Sequence, residues 1–112
     1  MSRTTKRTYS AYSQDAMSLF GTTIRAERKA KKMTEPELAE RVGVSRSFIQ
    51  RLERGDITCG IGLVFETAYI LGIPLFEAVP SRLTNQIQNV RDRLTLLPKT
   101  IRIKTKAIND QF

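Results

Sequence analysis

Between Thr34 and Gly72, helix-starting and helix-ending residues recur so closely that only short helices fit between them. Thr34-Glu35-Pro36-Glu37 is a capping box, with Thr at the N-cap and Glu at the third helical position. Pro36 is tolerated there, because a first-turn N–H has no intrahelical partner. Gly43 suits the left-handed position that ends a helix. Ser45 caps the next segment, which runs to Arg54 and is closed by Gly55. After a loop at Asp56–Gly60, a further helix over Ile61–Leu71 stops at Gly72. The apolar residues fall on inner faces: Leu38, Ala39 and Val42 in the first segment, Phe48, Ile49 and Leu52 in the second. The third, with Ile61, Leu63, Val64, Phe65, Ala68, Tyr69, Ile70 and Leu71, is apolar nearly all round. Such a helix is buried on most sides or has a second partner. Core burial is the favoured reading of Phe65 and Tyr69, and a dimer contact is the alternative.

The flanks extend this helical centre. Residues 1–14 read as a basic flexible arm, and residues 15–80 as the central domain. Asp15 or Ser18 is the expected cap of a first helix reaching about Lys32, with Ala16, Leu19, Phe20, Ile24 and Ala30 on its apolar side. Gly21 interrupts that helix at some cost. Pro74–Val79 is expected to add one or two helical turns before Pro80. Residues 81–98 read as a C-terminal helix with Leu83, Ile87, Val90, Leu94 and Leu97 at alternating intervals of four and three, an a/d seam. Two heptads are marginal alone, so packing on the body or on a partner subunit is favoured over a free coil. Residues 99–112 form a basic tail, either a strand (Thr100–Ile108 alternates with period two) or disordered. The expected fold class is all-α.

Composition removes most alternatives. The 112 residues include no His, no Trp and one Cys. Zinc sites of the Cys/His kind, Ser-His-Asp triads and Cys-His pairs are therefore unavailable within one chain, and no disulfide framework exists. Gly60-Ile61-Gly62 lacks the strand and third glycine of a dinucleotide fingerprint. No enzyme activity and no cofactor are expected. The basic start Met1–Ser10 is not followed by an apolar segment, so it is not read as a secretory signal; the expected location is the cytoplasm. Net charge is +8, yet residues 34–80 hold four basic and seven acidic side chains. All four basic ones are arginines, and Arg46, Arg51 and Arg54 cluster in the second helix of the pair.

Two short helices joined at Gly43-Val44, the second polar on its outer side, make a helix-turn-helix. In such a unit the second helix enters the DNA major groove with its N-terminal residues on base edges. Arg46, Ser47, Gln50 and Arg51 have the required polarity and placement, and arginine can grip a guanine edge bidentately. Arg3, Lys6 and Arg7 of the arm are candidates for phosphate or minor-groove contact.

Ile24-Arg25-Ala26-Glu27-Arg28-Lys29-Ala30, Met33-Thr34, Glu37-Leu38-Ala39-Glu40-Arg41-Val42-Gly43-Val44-Ser45-Arg46-Ser47 and Ile49-Gln50-Arg51-Leu52-Glu53-Arg54-Gly55 resemble the Cro/C1 (XRE) helix-turn-helix family. The resemblance covers roughly residues 20–76 and implies a five-helix, lambda-repressor-like domain. It implies base contacts from Arg46, Ser47, Gln50 and Arg51, phosphate contacts from Thr34, Ser45 and Arg54, and a structural salt bridge between Arg28 and Glu53. Three positions depart from the pattern. Glu35 stands where glutamine is usual and would repel the phosphate that residue normally meets. Glu27 replaces an apolar residue, and Lys32 replaces a glycine.

A narrower likeness spans nearly the whole chain. Arg7-Thr8-Tyr9-Ser10, Met33-Thr34-Glu35, Gly55-Asp56, Cys59-Gly60-Ile61-Gly62, Val64-Phe65-Glu66, Leu97-Pro98-Lys99 and Asn109-Asp110-Gln111-Phe112 are similar to HipB-type antitoxins. That resemblance implies a repressor of its own operon that docks a HipA-like Ser/Thr-kinase toxin, in some systems with a small accessory antitoxin protein. Paired DNA half-sites imply a homodimer. The alternative is a phage or restriction-modification regulator with no toxin partner.

Overall fold

The computed structural model describes residues 7–99, and these are all-α, with five helices and no strand among them. The helices are α1 (Ala11–Ala30), α2 (Glu35–Val42), α3 (Arg46–Glu53), α4 (Ile61–Leu71) and α5 (Pro80–Thr95). The arm residues Arg3 and Lys6 and the Thr100–Ile108 segment lie outside the described residues. Two compact units divide the chain after Leu75.

The first unit holds α1–α4. Its caps follow the sequence signals closely. Thr34 Oγ1 accepts from Glu37 N at 3.2 Å while Glu37 Oε1 accepts from Thr34 N at 2.7 Å, closing the capping box. Gly43 (φ +86°) and Gly72 (φ +75°) end α2 and α4 in the left-handed region, which glycine enters without steric cost. Ile24, Leu38, Ile49, Leu52 and Leu71 are the largest fully enclosed apolar residues, one or two from each of these helices. Phe48, Ala39, Val64 and Cys59 complete the core.

Helix α1 corrects the sequence reading. It begins at Ala11, four residues before Asp15, because Ser10 caps it by accepting from Ser13 N at 3.1 Å. Residues 11–14 of the expected arm are thus helical. The buried face is Gly21, Ile24 and Arg28, with Met17 and Phe20 packed beside it. Leu19 is 70% exposed and Ala16 is exposed, so the apolar side assigned to them is wrong. The interval Met17-Gly21-Ile24-Arg28 keeps helical spacing. It is hidden from a hydrophobicity count because a glycine and an arginine occupy two of its places. Gly21 is there for space: a Cβ would overlap Leu52 O and come within 3.0 Å of Glu53 O and Gly55 N. Likewise Tyr69 is 77% exposed and Phe65 is exposed, against their expected burial; α4 buries Val64, Thr67, Ala68 and Leu71 instead.

The α1–α2 turn contains Lys32 at φ +56°, where the resemblance leads one to expect glycine. The geometry is a helix C-terminus, with Met33 N donating back to Arg28 O at 3.0 Å. A side chain in this region costs about 1 kcal/mol relative to glycine. Lys32→Gly is expected to raise the thermal midpoint by roughly 4–8 °C, read by a circular dichroism melt. An unchanged or lower midpoint would contradict the strain.

The second unit contains α5. Pro80 is its first residue rather than a barrier before it, the place where a missing N–H does no harm. No helix forms over Pro74–Val79, which the chain crosses in bends. The helix ends at Thr95, before the residue that precedes Pro98 and is sterically barred from helical geometry. Leu83, Ile87, Val90 and Leu94 lie at seam spacing, and all four are exposed.

Candidate nucleic-acid interface

Helix α3 is two-sided. Phe48, Ile49, Leu52 and Glu53 are buried. At 3.6 residues per turn the remaining side chains, Arg46, Ser47, Gln50, Arg51 and Arg54, fall within an arc of about 140° on the opposite side. Arg46, Ser47 and Arg54 are exposed, while Gln50 and Arg51 are half-buried. Ser45 starts the helix, its Oγ accepting from Phe48 N at 3.1 Å and lying 3.1 Å from Ser47 Oγ. Arg54 is the C-cap residue. All the α3 residues expected to contact DNA are therefore brought onto one outward strip.

The Arg28–Glu53 pair fixes this strip to α1. Arg28 Nε donates to Glu53 Oε2 at 2.6 Å and Arg28 Nη2 to Glu53 Oε1 at 2.9 Å, a bidentate bridge between side chains that are 8% and 4% exposed. Arg28 Nη1 also donates to Met33 O at 2.9 Å, tying in the α1–α2 turn. The hydrogen bond to Glu53 raises the Arg28 pKa against the effect of burial, so the guanidinium keeps its charge.

Two of the outward side chains are themselves held. Glu35, at the start of α2, accepts from Arg46 Nε and from Gln50 Nε2, each at 3.2 Å through Oε1. Its Oε2 lies 3.9 Å from Arg28 Nη2. Desolvation pushes the Glu35 carboxyl upward. The bonds from Gln50 and Arg46 and the charges of Arg46 and Arg28 outweigh it, leaving the pKa below the usual carboxylate value. Sequence reasoning treated Glu35 only as a bare negative charge facing phosphate. Its partners lie 11 and 15 residues away, so no local pattern announces them.

Arg51 is anchored on the other side. Its Nε donates to Asp56 Oδ2 at 3.1 Å, its Nη2 approaches Cys59 Sγ at 3.9 Å, and its guanidinium lies 5.5 Å from the centre of the Phe48 ring. Asp56 also accepts from Thr58 N and Thr58 Oγ1, and the Thr58 bonds, followed by Arg51, hold its carboxyl below the usual range. Burial raises the Cys59 thiol pKa, as befits a core residue.

The N-terminus of α2 offers little to a phosphate. Pro36 has no N–H, and the amides of Thr34 and Glu37 are occupied by the capping box. The Thr34 hydroxyl is what that residue can direct outward. Among the described residues no group of His, Cys, Asp or Glu is arranged to hold a metal ion, and no helix is long and apolar enough to cross a membrane.

Residues 24–76 match the family model described as Helix-turn-helix. Over 69 residues the chain is 36% identical to y4dL of Sinorhizobium fredii, an uncharacterized HTH-type transcriptional regulator. That match covers 62% of this chain and 35% of the relative, so the chain spans about a third of the curated protein it resembles. No solved structure matches. With α2 and α3 joined through a left-handed Gly43 inside the matched region, residues 24–76 are similar to the helix-turn-helix family.

Proposed function

We propose that the protein binds operator DNA through α3 and regulates transcription, acting as a homodimeric repressor of its own promoter. The observation that carries this reading is the outward strip of Arg46, Ser47, Gln50, Arg51 and Arg54 on a helix whose other side is buried. A recognition helix needs that division. The description of the Sinorhizobium fredii relative as an HTH-type transcriptional regulator supports the regulatory part. Arg46, Ser47, Gln50 and Arg51 are assigned to bases, and Thr34, Ser45 and Arg54 to phosphates. The exposed seam of α5 and the exposed Ile61 and Tyr69 of α4 supply apolar surface for a second copy.

A gel shift on the protein's own promoter tests this. Arg46→Ala is expected to weaken binding by roughly 5- to 150-fold, the value of a lost bidentate base contact, without changing the melting curve. Arg51→Ala is expected to weaken it as well and to lower the melt by a few degrees, because its tie to Asp56 is lost. Parent-like binding by both variants would sink the assignment of α3.

The antitoxin reading rests on the terminal and loop motifs similar to HipB-type proteins. It assigns a HipA-like Ser/Thr kinase as the second partner, with an accessory antitoxin in a split system. Purifying the complex from the native operon tests it: a co-purifying kinase is the expected result. A methylase or phage gene as neighbour, with no kinase captured, would leave a regulator without a toxin.

A further inference from the structure

Arg46 and Gln50 stand one turn apart on the outward strip of α3 and share a single acceptor, Glu35 Oε1, at 3.2 Å each. The acceptor is well braced. Its side chain is 24% exposed against 61% for Arg46, and its second oxygen faces Arg28, whose guanidinium is locked to Glu53 in the core. Arg46 is therefore a long side chain at the surface with one end fixed from behind.

Which end is fixed matters chemically. A guanidinium presents one Nε–H and two terminal amino groups in a planar fork. Glu35 takes the Nε–H. The terminal Nη1/Nη2 edge of this 61% exposed side chain keeps two parallel donors. Two parallel donors match the O6 and N7 acceptors of guanine, whereas adenine sets a donor, N6–H, beside its N7. Gln50 is constrained similarly. An ionised carboxylate only accepts, so the amide nitrogen of Gln50 must face Glu35 and its oxygen is turned away.

We infer that Glu35 is a positioning residue for sequence specificity: it holds Arg46 by Nε so that the free edge selects guanine at one position of each half-site, and it sets the amide orientation of Gln50 beside it. The inference rests on the proposal that α3 reads DNA. It reverses the expected role of Glu35, from a charge that repels phosphate to one that aims a base contact. A glutamine at this place would keep one acceptor oxygen but lose the charge that holds Arg46, and its amide could also turn a donor toward Gln50.

The test is enrichment from a duplex library with a randomised core, using the parent, Glu35→Gln, Arg46→Ala and the double variant, each checked by a thermal melt. Glu35→Ala serves as the second variant if the amide perturbs folding. The parent is expected to enrich a guanine that Arg46→Ala no longer selects. Glu35→Gln is expected to reduce that preference at least threefold, on the scale of one bidentate contact, while leaving positions read by neither Arg46 nor Gln50 unchanged and binding random duplex more tightly. In the Arg46→Ala background, Glu35→Gln is expected to change nothing further at that position. Full guanine preference in Glu35→Gln and Glu35→Ala, with loss in Arg46→Ala, would overturn the positioning role and leave α3 as the reader. A parent that enriches no sequence, or an Arg46→Ala variant that keeps the guanine, would overturn the reading by α3 and this inference together.

Discussion

Gly21→Ala is expected to lower the thermal midpoint by more than about 10 °C, although alanine is the better helix former by about 1 kcal/mol. Gly21 sits inside α1, where a methyl group should help. The obstacle is the end of α3: the new Cβ would overlap the carbonyl oxygen of Leu52 and press on Glu53 O and Gly55 N. These are backbone atoms and cannot rotate away, so α1 must lift off α3. Overpacking of this kind costs about 1–3 kcal/mol or more, and each kcal/mol moves the midpoint of a domain this small by roughly 4–8 °C. Gly62→Ala is the matched control. It is also helical, a Cβ there meets nothing within 4 Å, and it is expected to raise the midpoint slightly. If the two substitutions behave alike, the α1–α3 contact is not close.

Arg28→Met is expected to cost about 3–5 kcal/mol, the usual penalty for leaving one member of a buried ion pair without its partner. Glu53 would retain a carboxylate that is 4% exposed with both oxygens vacated, and Met33 O would lose its donor. Small domains have little more stability than this to lose. A urea titration should therefore show a large fall in midpoint, with loss of operator binding at the same protein concentration. Removing both charges with Arg28→Met/Glu53→Met is expected to recover part of the loss, because the isolated charge is gone. A double variant worse than the single one would show that packing, rather than the stranded carboxylate, dominates.

The centre of the fold was legible because its instructions are local. Thr34, Glu37, Gly43, Ser45 and Gly72 act through bonds and dihedrals within a few residues, and α2, α3 and α4 lie where those residues place them. The inner face of α3 was legible for the same reason, since Phe48, Ile49 and Leu52 are apolar and helically spaced. What misled is non-local. The register of α1 is set by the backbone of α3 meeting Gly21, not by its leucine. The exposure of Tyr69 depends on how much neighbouring chain exists to cover an apolar helix, which pattern alone does not count. Pro74–Val79 is long enough for a turn of helix but lacks any cap, and bends instead.

The outward strip shows the same division. Its residues could be named from one helix, but their partners could not. Glu35 and Asp56 lie on other elements, and each turns an arginine from a free side chain into an oriented one. The Arg28–Glu53 bridge came from family resemblance; spacing of 25 residues would not suggest it.

The Gly21 seam has a wider consequence. The lie of α3 against α1 is set by main-chain atoms at Gly21, by the core residues Ile24, Ile49 and Leu52, and by one buried ion pair, none of which belongs to the outward strip. Side chains at 46, 47 and 50 can therefore be exchanged while the scaffold stays put. Duplicated copies of such a gene can drift to new targets by substitutions on one face, without first solving the folding problem again.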